Sequence, residues 1–330
     1  MEIARALILA EAGDNDCSWA TALAGPTHLF PIANRPILFH NLEALRSAGI
    51  LEATILSGPA TARALERAAG DGREWGLTLR YADWTAAGGL GSALAVARDF
   101  VADEPVLVQQ GDALLRDRLR SHIAAFARER LDALALRLPT VPRVRATLPA
   151  PGYLLSRRAV SMLLSEARDP SNPVADVRAM GGTAREEIID GCLPCHGDQG
   201  SLLEGNRRLL EGIETDVHED SLDDCTIQGP VIVAKSARVR RSLIRGPAII
   251  GPRAELSDAY VGPYTSIGSD VIVEGSQVEH SIVLPGAELR FVGARLESSV
   301  IGRGARVVRG FEMPGALRMM IGEEAEVVFT

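Results

Sequence analysis

The chain has no long apolar run, only four cysteines and no surplus of positive charge. Each shortage excludes something. No apolar stretch approaches the ~18 residues that span a bilayer, and Met1-Glu2-Ile3-Ala4-Arg5 lacks the basic, apolar and cleavage regions of a signal peptide. A cytoplasmic protein with no membrane partner is the expectation. Cys17, Cys192, Cys195 and Cys225 are then expected to be reduced. A formal net charge of −8 gives no electrostatic footprint for nucleic acid. What is present is ordinary globular composition, 46% hydrophobic and 24% charged over 330 residues, enough for two domains and a sizeable core.

The first half alternates strand and helix signals. Ala6-Leu7-Ile8-Leu9-Ala10 has the length and composition of a buried parallel strand. After a polar loop, the segment Pro31 to Pro36 leads into a helix with Leu38, Leu42 and Leu45 on one side. Strands are expected at 53–57, 77–81, 105–109 and 133–138, the third ending at Gly111-Asp112. Between them, helices are expected from Thr61, as N-cap, to Ala69, from Gly91 to Val101, and from Asp117 to Arg130. Such alternation predicts a mostly parallel sheet flanked by helices. A strand, a long loop and a helix at the start form the arrangement in which an α/β nucleotide-binding domain places its phosphate loop.

After about Gly212 the pattern changes. Ile250-Gly251, Ile267-Gly268, Leu284-Pro285-Gly286 and Ile301-Gly302 recur every 17 residues. Further apolar markers lie about six apart, such as Ile244, Ile250 and Leu256, then Val261, Ile267 and Val273. Three short strands per turn describe a triangular β-helix. Ile250, Ile267, Leu284 and Ile301 are expected to stack in one interior column. The expected domains are residues 1–213 and 214–330.

Several motifs fall into a familiar frame: Leu9-Ala10, then Leu29, Pro31 and Asn34-Arg35-Pro36-Ile37-Leu38. Gly89-Leu90, Gly111-Asp112 and the run from Leu202 to Arg207 continue it, as do Gly262 to Gly268 and Glu279 to Ala287. The chain resembles the sugar-1-phosphate nucleotidylyltransferases, specifically the long-form glucose-1-phosphate thymidylyltransferases, over nearly its whole length. The resemblance implies an α/β fold, with a Rossmann-like nucleotidyltransferase domain followed by a left-handed parallel β-helix. It also implies a reaction in which a sugar 1-phosphate attacks the α-phosphate of a nucleoside triphosphate and pyrophosphate leaves. Catalysis of that kind is alignment plus cationic stabilisation. The implied partners are a nucleoside triphosphate or sugar phosphate, with Mg²⁺ if the nucleotide site is functional and no other cofactor required. The β-helix would join a homo-oligomer or an active paralogue.

Inside this frame the chemistry is changed. The family's G-G-x-G-T-R loop reads Glu11-Ala12-Gly13-Asp14-Asn15-Asp16-Cys17, with three carboxylates where a triphosphate would lie. The family lysine falls on Thr27, with His28 beside it, and the base-reading glutamine falls on Trp84. Ala113 replaces the asparagine of G-D-N, and Cys195 replaces the second metal aspartate. Leu138 to Gly152 is about two dozen residues shorter than the family's sugar-binding segment. Arg35 keeps a basic position at the entrance to the helix.

The nucleotide-binding candidates that the resemblance leaves are Leu9, Ala10, Gly13, Trp84, Gly89, Leu90 and Asp112. Asp112 is either a metal ligand or a strand-end cap. Trp84 either stacks on a base or fills the vacated pocket. His28, when protonated, could replace the lost cation, or it is a surface or satisfied histidine. Cys192-x-x-Cys195-His196 matches a haem-attachment pattern and half a zinc site. Removing one preorganised transition-state donor costs ~10²–10³ in rate, and several are absent here. The expected function is that of a non-catalytic binding, assembly or regulatory homologue. The alternative is an active enzyme rebuilt for an unusual sugar or cyclitol phosphate.

Overall fold

A computed structural model of the protein describes residues 3–10, 26–85, 89–101, 104–115, 119–138, 150–165, 172–189, 192–194 and 198–309. Chain order gives β1 (Arg5–Leu9), β2 (Pro31–Ile32), β3 (Arg35–Pro36), α1 (Ile37–Ser47), β4 (Glu52–Ser57), α2 (Pro59–Ala69) and β5 (Thr78–Asp83). Then come α3 (Gly89–Val96), α4 (Arg98–Val101), β6 (Val106–Gln110), β7 (Ala113–Leu115), α5 (Leu119–Arg128) and β8 (Ala133–Arg137). The α/β part closes with β9 (Gly152–Leu155), α6 (Arg157–Ser165), α7 (Pro173–Ala179), β10 (Ala184–Ile188), β11 (Cys192–Pro194) and α8 (Gln199–Leu210).

Seven strands form one sheet in the order β10-β8-β9-β6-β1-β4-β5, parallel except where β9 runs against β8 and β6. Strand β1 is central because Leu7, Ile8 and Leu9 are apolar on both faces, which only a strand covered on both sides accepts. One face packs on α1, α2 and α5 through Leu38, Leu42, Leu45, Leu65 and Phe126. The other packs on α3, α4, α6 and α7 through Leu90, Phe100, Val160 and Val177. This is the expected layered α/β domain. Two helices differ in detail: α2 starts at Pro59, whose missing N–H suits the first helical turn, rather than after a Thr61 cap. The helix expected over Gly91 to Val101 breaks at Ala97 into α3 and α4.

From Asp216 onward, short parallel strands stack as three sheets of a β-helix. The interior columns are Val233-Ile250-Ile267-Val283-Ile301, Val239-Leu256-Val273-Leu289-Val307 and Ile244-Val261-Val278-Leu296. The first column corrects one expectation. Val283, not Leu284, pairs with Ile267 and Ile301. That coil is one residue short and the next one residue long, so the markers keep their spacing while the register shifts. Leu284 is instead buried in a fourth core, with Ile282 of the β-helix, Leu202, Leu209 and Leu210 of α8, and Phe30, Ile32 and Ile37. That core joins the β-helix to the α/β part. At the outer corners, arginines pair with carboxylates one coil on: Arg241 with Asp258 at 2.8 and 2.7 Å, Arg253 with Asp270 at 2.6 Å twice. Among the described residues no helix is long and apolar enough to cross a membrane.

Candidate functional site

The central strands end together. Gly111 N–H donates to Leu9 O at 2.7 Å and Ala10 N–H donates to Leu56 O at 2.7 Å, so β6, β1 and β4 finish on one level. The strand order reverses at β1, and in open α/β sheets the crevice beyond such strand ends is where ligands bind. Leu9 and Ala10 are both buried. Gly13 and the other loop residues Glu11 to Cys17 lie outside the described residues.

Asp112 follows β6 in a tight turn that buried polar groups hold. Asn41 of α1 donates through Nδ2 to Gly111 O at 2.9 Å, and Gln109 donates through Nε2 to Asn41 Oδ1 at 2.9 Å and to Ala113 O at 3.2 Å. Asn41 and Gln109 are 1% and 0% exposed, so these bonds form in a low dielectric and fix the turn firmly. Sequence reasoning missed both residues. The signal was there: Asn41 sits on the Leu38-Leu42-Leu45 face of α1, and Gln109 ends an otherwise apolar strand.

Thr27 and His28 lie in a short 3-10 turn after Pro26, 4% and 2% exposed. His28 rests on Gly111: a β-carbon added there would lie 2.8 Å from His28 Cδ2, 3.2 Å from Nε2 and 3.0 Å from Leu9 O. The structure thus brings His28, Gly111 and the turn of Asp112 together. Thr27 is uncharged, and the single lysine of the whole chain is Lys235, in the β-helix.

Trp84, just past β5, is 4% exposed and packs in the core that includes Leu9, Leu56 and Leu90. Its Nε1 donates to Ser92 Oγ at 2.8 Å, and Ser92 Oγ donates to Gly89 O at 3.2 Å. Gly89 has φ +57, which favours glycine, and Leu90 is fully in the core. The indole fills its pocket; it does not stand open as a platform. Arg35 turns elsewhere. It is bound by Glu43 at 2.8 and 3.0 Å and lies over the Trp75 ring at 5.7 Å, on the surface of α1.

A magnesium ion is the metal that the fold implies. The residues that the resemblance sets at the two-carboxylate site are Asp112 and Cys195. A thiolate is a soft ligand and Mg²⁺ is a hard cation held by oxygen. Cys195 and His196 lie outside the described residues. Among the described residues no three histidines, cysteines, aspartates or glutamates converge as a metal site. Cys225 donates through Sγ to Val239 O at 3.2 Å within the β-helix.

Comparison with known proteins places the chain among relatives. A family model described as nucleotidyl transferase matches residues 19–145. A glucose-1-phosphate thymidylyltransferase of Streptomyces griseus is 33% identical over 90% of this chain and 92% of its own. That of Streptomyces antibioticus is 30% identical over 91% and 92%. The low-salt glycan biosynthesis nucleotidyltransferase Agl11 of Haloferax volcanii is 26% identical over 92% and 94%. A crystal structure from Bacillus anthracis, described as a glucose-1-phosphate thymidylyltransferase in complex with sucrose, superposes with a TM-score of 0.52. It is 19% identical and covers 64% of this chain and 97% of its own, a likeness of fold.

Proposed function

The chain belongs to the family of the glucose-1-phosphate thymidylyltransferases, and from that premise we propose that it keeps the family's scaffold as a non-catalytic binding and assembly protein. The observation that carries this reading is the state of the strand ends. Where the family presents a base-reading glutamine and a lysine, this chain has a buried Trp84 tied to Ser92 and a buried, uncharged Thr27. Phosphoryl transfer needs positive charge aimed at the phosphate oxygens as charge builds there. Thr27 cannot supply it, Arg35 is engaged by Glu43, and Glu11, Asp14 and Asp16 in the loop would oppose it.

The β-helix is the surface by which such a protein would pair with a second copy or an active relative. Sedimentation tests this: the purified chain is run alone and mixed with an active glucose-1-phosphate thymidylyltransferase. A heavier mixed species, or a changed rate of the active enzyme, is expected. Independent sedimentation with an unchanged rate contradicts the assembly role. One observation favours a second reading, an enzyme rebuilt for an unusual sugar or cyclitol phosphate. The Asn41-Gln109 pair still holds the Gly111-Asp112 turn firmly, and turnover that depends on Asp112 would support that alternative.

A further inference from the structure

Strands β2 and β3 form a two-residue hairpin, with Pro31 opposite Pro36 and Ile32 opposite Arg35. Its turn residues, Ala33 and Asn34, both have positive φ, +46 and +60. Glycine and asparagine suit such a turn; alanine does not. The local sequence therefore does not explain the hairpin alone, and the contacts that hold it come from far along the chain. Ala33 N–H donates to Asn206 Oδ1 at 2.8 Å, and Asn34 Nδ2 donates to Ile267 O at 2.6 Å. Asn206, on α8 and 0% exposed, also accepts from Ser266 Oγ at 2.6 Å and donates to Tyr264 O at 3.0 Å. One coil of the β-helix, residues 264–267, and one helix thus clamp the turn.

The hairpin continues directly into the site. Phe30 N–H donates to Thr27 O at 2.9 Å and Ile37 N–H donates to Phe30 O at 3.1 Å, so the turn carrying His28 is bonded to the base of the hairpin. His28 in turn rests on Gly111. We infer that Asn206 and Asn34 are positioning residues that make the β-helix set the place of Thr27 and His28 over the Gly111-Asp112 turn. The relevance of the latch to function rests on the reading of the crevice above.

The test uses the full-length chain without ligand, so its outcome is independent of whether the crevice binds anything. Asn34→Gly keeps the backbone conformation, which glycine accepts, and removes only the bond to Ile267 O. Hydrogen exchange is followed in residues 26–38 and in 231–308. The ring resonances of His28, identified by their loss in His28→Gln, are recorded alongside. Exchange in 26–38 should quicken about tenfold, the factor one net hydrogen bond carries, and the His28 signals should move, with exchange in 231–308 unchanged and the melting temperature lowered by no more than a few degrees. Asn206→Ala should do the same more strongly; if it fails to fold, Asn34→Gly decides. Wild-type exchange and unmoved His28 signals in Asn34→Gly overturn the inference. So does equal loss of protection in 231–308, because Asn34 would then merely stabilise the interface.

Discussion

Trp84 shows what a single residue can reveal. In the sequence, a tryptophan at the base-reading position could stack on a base or fill the pocket. In the structure it is 4% exposed and hydrogen-bonded to Ser92, which places it in the core. Trp84→Ala should therefore cost about 3–5 kcal/mol in urea unfolding, as large aromatic truncations in cores do. A loss under about 1 kcal/mol would be surface behaviour and would contradict the filled pocket. In the sequence, His28 is either a replacement cation or a surface or satisfied histidine; in the structure it is buried against Gly111. Spacing could not show this, because the contact depends on where the 3-10 turn after Pro26 brings the ring. Asn41 and Gln109 were legible in principle as polar residues at apolar positions, which is the pattern of buried groups that bond to one another.

Among the elements, the sheet and the β-helix were readable because their periods are strict: alternation of strand and helix for one, three short strands per coil for the other. Hairpin β2–β3 was not readable. Proline and alanine are poor strand and turn signals, and its support comes from Asn206 and Ile267, more than 170 residues away. Register within the β-helix was partly readable. A short coil followed by a long one leaves the 17-residue markers in place while moving Val283 inward and Leu284 outward, so composition cannot separate the two. Substitution can. Val283→Asp buries a carboxylate inside the β-helix with nothing to compensate it, a loss of about 3–5 kcal/mol. Exchange should quicken across 231–308. Leu284→Asp should instead loosen residues 199–210 of α8, against which Leu284 is buried. The reverse pattern of protection would contradict the register.

For the whole molecule, the scaffold and the chemistry point in different directions. The chain keeps the order of strands, the firm turn at Asp112 and the β-helix docked through α8. It has one lysine in the entire chain, Lys235, and Thr27 where the resemblance sets one. Each preorganised transition-state donor is worth ~10²–10³ in rate, and such contributions are not additive. The decisive measurement is pyrophosphate release from glucose 1-phosphate and dTTP with Mg²⁺, on purified protein, with Asp112→Ala as the control for contaminating enzyme. The expected result is no release that Asp112→Ala abolishes. Turnover near ~1 s⁻¹, the low end for enzymes, lost in Asp112→Ala, would contradict it.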